Sequence, residues 1–160
     1  EKGFFFLGHH IRLRENERWG HVLQALTPLD RQERLRRKIK QIVRNTSPDT
    51  KLSDLLKKVN PIVRGWGNFY RHTNGAYGTF KKMDYYIFMR IFHWLRGKFR
   101  TQGWNKLYRQ FRKPPKVGGT KRWSEGGTEL AQLLDIKRER WDLRFTRKPD
   151  YAITVGEPGA

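Results

Sequence analysis

Residues 59–72 read Val59-Asn60-Pro61-Ile62-Val63-Arg64-Gly65-Trp66-Gly67-Asn68-Phe69-Tyr70-Arg71-His72. Ile62, Val63, Trp66, Phe69 and Tyr70 recur at the spacing of one helix face. Pro61 has no backbone N–H and crowds the preceding turn, so the reading puts a helix boundary here. Asn60 is then the cap of a new helix, with Pro61 in its first turn. Arg64 and Arg71 lie seven apart, close to two turns, and share a face. They either pair with acids such as Asp84 or reach a phosphate.

Upstream, Leu52, Leu55, Leu56 and Val59 make a preceding helical stretch. Before that, Thr27-Pro28 and Asp30 read as a helix start, and Leu35, Ile39, Ile42 and Val43 form its apolar stripe. Asn45-Thr46-Ser47-Pro48 stops it. At the front of the chain Phe5, Leu7, Ile11 and Leu13 alternate with Gly8, His10, Arg12 and Arg14, which predicts one half-buried strand over 4–14. A turn at 15–17 and a return over Gly20 to Leu26 complete a hairpin.

Downstream, the glycines between His72 and Gly78 predict a loop. Thr79 caps a third helix that carries Phe80, Met83, Ile87, Ile91 and Trp94, and Gly97 or Gly103 ends it. Trp104, Leu107, Tyr108 and Phe111 suggest a short fourth helix. Leu130, Leu133 and Leu134 suggest another, Trp141, Leu143 and Phe145 alternate like a strand, and 156–160 reads as a frayed end. The expected fold is mostly α: a small N-terminal β-hairpin, a three-helix bundle, and a short helical, partly irregular C-terminal region.

Charge narrows the function. The 160 residues hold 35 Lys+Arg against 15 Asp+Glu, a balance of 35 − 15 = +20. Such an excess repels itself unless an anionic partner neutralises it. Nucleic acid and an acidic membrane surface are the candidate partners, and a stand-alone metabolic enzyme is disfavoured. The excess is concentrated. From Tyr85 to Ser124 there is no acid, and 11 cations are interleaved with aromatics over those 40 residues. Cations meet phosphates, and aromatics stack on unpaired bases. The aromatics on helical stripes, such as Trp94 and Phe111, read as core instead.

Other chemistries find no support. With no cysteine, a disulfide scaffold, a thiolate zinc site and a catalytic thiol are excluded. No paired aspartates suggest a two-metal nucleotidyl-transfer centre. His9 and His10 point to opposite faces of a strand, so they cannot chelate together. Gly118-Gly119-Thr120-Lys121 lacks the glycine spacing and the preceding strand of a phosphate loop. No cofactor is expected. No apolar run approaches the roughly 20 residues of a membrane span. The chain reads as intracellular, and its first residue, Glu, suits a piece of a longer chain.

The stretch Val59–His72 resembles the signature of the maturase-specific region of group II intron-encoded reverse transcriptases, which reads Leu-Asn-Pro-Ile-Ile-Arg-Gly-Trp-Ala-Asn-Tyr-Tyr-Arg-His. Thr79-Phe80-Lys81-Lys82-Met83-Asp84-Tyr85-Tyr86-Ile87 is similar to the family's Thr-Phe-Ser-Lys-Leu-Asp-His-Tyr-Ile. Phe6-Leu7-Gly8-His9-His10-Ile11 is similar to Phe-Leu-Gly-Phe-His-Ile, at the last palm strands. The resemblance covers roughly residues 3–112 and is weak beyond Lys113. Gly67 and Phe69 stand where Ala and Tyr are commoner, the polymerase Tyr-Xaa-Asp-Asp motif is absent, and the cysteine pairs of an HNH endonuclease are absent.

The resemblance implies three regions: 1–26 as the end of the polymerase palm, 27–100 as the thumb-like maturase bundle, and 101–160 as the remainder with the C-terminal tail. It implies a non-catalytic part of an RNA-directed DNA polymerase, in the bacterial cytoplasm. Its partners would be group II intron RNA, an RNA/DNA template–primer duplex and an upstream fingers and palm module. The candidate RNA-binding residues are Arg34, Arg37, Lys38 and Arg44 on the first helix, and Lys57, Lys58, Arg64, Asn68, Tyr70, Arg71 and His72 around the signature. Further along they are Lys81, Lys82, Arg90, Arg96, Lys98, Arg100, Lys106, Arg109, Arg112 and Lys113. The competing reading is a stand-alone basic DNA-binding module, in which the two helices around Asn60-Pro61 form a helix-turn-helix. A peripheral membrane protein ranks third.

Overall fold

The computed structural model describes residues 3–140 and the backbone of 144–145. Strands β1 (Phe4–Phe6), β2 (His9–Asn16) and β3 (Gly20–Leu26) lead into helices α1 (Leu29–Asn45), α2 (Leu52–Tyr70), α3 (Ala76–Lys98) and α4 (Trp104–Phe111). Short strands β4 (Arg112–Lys113), β5 (Arg122–Glu125) and β6 (Thr128–Glu129) follow, then a 3-10 turn at Leu133–Asp135 and strand β7 (Arg144–Phe145). The architecture is mostly helical, with an N-terminal antiparallel sheet and a second, small sheet.

The expected single strand over 4–14 is two strands. Phe6 pairs with His9 across a two-residue turn at Leu7 and Gly8, both with positive φ (45° and 78°). Two positive φ values in succession make the turn whose twist suits a hairpin. Alternation continues in parity through the turn, so periodicity alone hides it. The β2–β3 turn falls at 17–19, two residues later than expected, and β7 adds to β3 to complete the order β1-β2-β3-β7. Trp141 and Leu143, and the expected frayed end at 156–160, lie outside the described residues.

The three long helices bury their stripes against each other. Leu35, Ile39 and Val43 of α1 meet Leu52, Leu55, Leu56, Val59 and Val63 of α2, and Phe80, Met83, Ile87 and Ile91 of α3. These side chains are at most 8% exposed, and at roughly 1.5–3 kcal/mol for each fully buried large apolar side chain they dominate the stability of the bundle. The bundle also anchors the sheet. Tyr70 donates its hydroxyl to Gly8 O at 3.1 Å, and Asn74 bonds Ala25 in both directions, at 2.7 and 3.0 Å.

The helix boundary expected at Asn60-Pro61 does not exist. α2 runs unbroken through Pro61. The bond lost is to Lys57 O, on the exposed side of the helix, where water can replace the missing donor. Val59 and Val63, both fully buried, hold the flanking turns in the core. Asn60 is therefore not a cap. Its buried amide donates to Glu129 O and accepts from Ala131 N, both at 2.8 Å, and so pairs like a strand with a segment about 70 residues downstream.

α3 begins at Ala76, behind Gly75 in the left-handed region (φ 75°), so Thr79 lies inside it rather than capping it. The expected loop over 72–78 shrinks to 71–75. Its end at Lys98 uses neither Gly97 nor Gly103, because Phe99 N bonds Leu95 O at 2.9 Å.

The C-terminal segment is a strap clasped onto α2 and α3. Glu125 accepts from Ser53 N at 2.9 Å and caps the N-terminus of α2, where Lys51 offers no side-chain cap. Asp84 of α3 accepts from Leu133 N and Leu134 N, at 2.8 and 3.0 Å. Arg122, itself buried, forks onto the Asp135 carboxylate. The helix expected at Leu130–Leu134 is only the 3-10 turn at 133–135, held by these side chains. Gly67 is part of the fit: a Cβ there would collide with the Ile136 and Leu133 side chains.

Candidate nucleic-acid interface

Helix α1 presents a basic edge on each side of its buried stripe. By helical spacing Arg31, Arg34 and Lys38 face α2, while Arg36, Arg37 and Lys40 face α3. The two resulting grooves differ in their opposite walls.

The α1/α3 groove, about 520 Å³, is cationic on both walls. Arg36, Arg37 and Lys40 stand on one side, Lys82 and Arg90 on the other, with Tyr86 between them. The guanidinium carbons of Arg90 and Arg36 lie 5.1 and 5.7 Å from the Tyr86 ring centroid. Arg90 Nε donates to the Tyr86 hydroxyl at 3.0 Å, and that hydroxyl donates to Arg36 O at 3.3 Å. The ring thus spaces two guanidinium groups at fixed positions, each still holding donors for an anion. Arg36 Nε is buried and makes no hydrogen bond among the described residues. One acid lines the groove, Glu33, and Arg37 pairs with it at 2.6 Å. Arg44 borders a neighbouring hollow of about 410 Å³ with Arg37 and Lys40.

The α1/α2 groove, about 590 Å³, is cationic on the α1 side only. Its α2 wall is Pro61, Ile62, Gly65, Trp66 and Phe69. Arg31 and Arg34 approach Asp30 at 3.6 and 4.0 Å, both pairs well exposed and so weakly held.

The remaining candidates fall in four groups. Lys57, Arg64 and Asn68 are exposed along the outer face of α2, with Lys57 3.6 Å from Asp54, and Lys58 lies toward the α1/α2 groove by helical spacing. Arg71 donates Nε to His72 Nε2 at 3.1 Å, and His72 Nδ1 lies 2.7 Å from Glu139 O. This pattern fits a neutral imidazole with its proton on Nδ1. Asp84 is taken by the strap backbone. Burial pushes its carboxyl up to about 6, against the pull of the two strap N–H groups.

Lys81, Arg96, Arg100, Lys106, Arg109, Arg112 and Lys113 are exposed, but the grooves do not include them. Arg96 covers Phe92 (6.0 Å), and Arg112 covers Phe88 and Tyr108 (5.5 and 5.4 Å). Two candidates face inward. Tyr70 is 4% exposed, with its hydroxyl spent on Gly8, and Lys98 donates to Pro48 O and Thr50 O at 2.7 and 2.6 Å, tying the α1–α2 turn to α3.

Most aromatics of the acid-free stretch also face inward. Trp123 is fully buried and stacked on Phe88 (4.7 Å, 16°), with Phe92 and Tyr108 alongside. Tyr85 and Trp104 stay exposed. Conversely, Arg31, Arg36 and Lys40 line the grooves although the sequence did not single them out as contacts. Only the docking of α2 and α3 on α1 distinguishes their positions from the other cations of the helix.

No helix among the described residues is long and apolar enough to cross a membrane, and none of their His, Asp or Glu residues cluster where they could hold a metal ion. Fold and surface define a basic helical bundle with an appended sheet and strap. Residues 32–113, from α1 through α4 to the end of β4, match the maturase-specific domain of group II introns. That is 82 of 160 residues, just over half, and the chain belongs to this family. A search of curated proteins finds no match.

Proposed function

We propose that this chain is the RNA-binding maturase and thumb part of a group II intron reverse transcriptase. It binds intron RNA to assist splicing and grips the template–primer duplex during retrohoming. In this reading 1–26 closes the polymerase palm, 27–100 is the thumb and maturase bundle, and 101–160 completes the maturase region. The polymerase carboxylates belong to a fingers and palm module that acts with it. Arg37, Lys82 and Arg90, joined by Arg36 and Lys40, hold phosphates in the α1/α3 groove. Arg34, Lys38, Arg44, Lys57, Lys58, Arg64, Asn68, Arg71 and His72 extend the contact along α1 and α2.

The observation that carries this reading is the α1/α3 groove within the matched maturase domain: cations on both walls and Tyr86 clamped between two arginines. Two walls of cations suit a polyanion, and Coulomb attraction to phosphates comes with counterion release. The competing DNA-binding module loses its main support, since the helix-turn-helix it needs at Asn60-Pro61 is one continuous helix.

Filter binding of the chain to structured intron RNA tests the proposal. With about 6–10 phosphate contacts, affinity falls about 10³–10⁵-fold between 50 and 200 mM salt. Structured intron RNA also outcompetes a random duplex of equal length. A flat salt response refutes RNA binding by this surface, and equal competition refutes the maturase assignment.

A further inference from the structure

The α1/α2 groove differs from its neighbour in a way that phosphate binding alone does not use. One wall carries Arg31, Arg34 and Lys38; the other is Pro61, Ile62, Trp66 and Phe69, with no charge. The apolar wall is rigid. Trp66 packs on Tyr70 and Phe80, with ring centroids 4.7 and 6.0 Å apart, so the core sets its orientation. Phe69 is 52% exposed for a large apolar ring and lies stacked 5.1 Å from His9. Between them Gly65 leaves the floor open: a Cβ there would meet nothing within 4 Å. A cavity of about 590 Å³ lies in the ordinary range of about 300–1,000 Å³ for small-ligand sites.

A duplex turns phosphates and sugars outward and hides its base faces, so it has nothing to place on an aromatic wall. An unpaired nucleotide has both a phosphate and an exposed base face. We propose that the α1/α2 groove holds an unpaired RNA nucleotide, its base against Trp66 and Phe69 and its phosphate on the Arg31, Arg34 and Lys38 edge. The proposal rests on the RNA-binding reading above and divides labour within it: α1/α3 takes backbone, α1/α2 takes a single-stranded base. An acidic amphipathic peptide has complementary chemistry too. The cations of α1 continue around the helix into the α1/α3 groove, farther than one peptide face reaches, and this favours a phosphodiester chain.

The test uses the full chain and two RNAs, a blunt hairpin and the same hairpin with a tail of unpaired uridines. Gly65→Leu reaches into the groove from an exposed helical position where an added Cβ meets nothing within 4 Å, and Gly65→Ala is the control that leaves room. The wild-type chain binds the tailed hairpin about tenfold more tightly than the blunt one, the effect of one stacked base. Gly65→Leu binds both RNAs like the blunt one, and Gly65→Ala keeps the preference. Salt-sensitive binding of both RNAs with no tail preference, or a preference that survives Gly65→Leu, overturns the groove assignment and leaves RNA binding standing. Failure to bind either RNA overturns the broader reading instead. Gly65-dependent capture of an acidic amphipathic peptide, with no tail preference, reassigns the groove to protein and overturns the proposal.

Discussion

Replacing Asn60 separates two accounts of the same residue. As a helix cap, Asn60 would tolerate Asp with little change, since both cap well, and Ala would cost about 1 kcal/mol. In the folded chain its side chain instead donates to Glu129 O and accepts from Ala131 N, at 2.8 Å each, with only 6% of the residue exposed. Asn60→Ala removes both bonds and strands two backbone groups between α2 and the strap. At about 1–3 kcal/mol for each stranded group, reduced where water reaches it, the loss is about 2–4 kcal/mol. For a chain of this size that lowers Tm by about 4–16 °C. Asn60→Asp keeps the acceptor for Ala131 but sets a carboxylate oxygen against the Glu129 carbonyl. It therefore costs about as much as Ala near neutral pH and less in acid, where a protonated carboxyl can donate. Calorimetry gives the stability, and hydrogen exchange at the Ala131 amide reports the clasp directly. If Asn60→Asp melts within a degree of wild type and Ala131 exchange is unchanged, the clasp account is wrong.

Asp84 makes stability depend on pH with the opposite sign to a salt-bridged carboxylate. Its carboxyl sits at about 6 when folded against 3.8 unfolded, so the folded state holds the proton more tightly. Its contribution is present at low pH and lost as pH rises through 6, and the wild type gains about 2–3 kcal/mol on Asp84→Asn between pH 7 and 4; paired urea titrations and the carbon-13 shift of the carboxyl check this. The two glycines of α2 respond with opposite signs. Gly65→Ala stabilises by about 1 kcal/mol through helix propensity alone, while Gly67→Leu, driven into Leu133 and Ile136, costs about 1–3 kcal/mol, both read from thermal melts. Glu125→Ala removes the cap of α2 and costs about 1 kcal/mol, with faster exchange at the Ser53 amide as the local signature.

Local pattern alone placed the hairpin and the stripes of α1, α2 and α3, because 2.0 and 3.6 residue periods are written directly in the order of apolar side chains. The same order carried the concentration of positive charge and the signature around Trp66 that led to the maturase family. Docking decided what the pattern could not. Whether Pro61 breaks a helix depends on whether tertiary burial outweighs one lost hydrogen bond, and the buried Val59 and Val63 beside it show that it does. Asn60, Asp84 and Glu125 find partners 69–71, 49–50 and 72 residues away, distances over which sequence spacing says nothing about contact. The basic edges of α1 follow the same logic. Seven cations on one helix, from Arg31 to Arg44, are visible in the sequence, yet their sorting into a groove with cations on both walls and one with an apolar, aromatic wall exists only once α2 and α3 pack on either side. Periodicity is a property of one element, whereas a groove is a property of two, and its chemistry is set by the wall that the other element supplies.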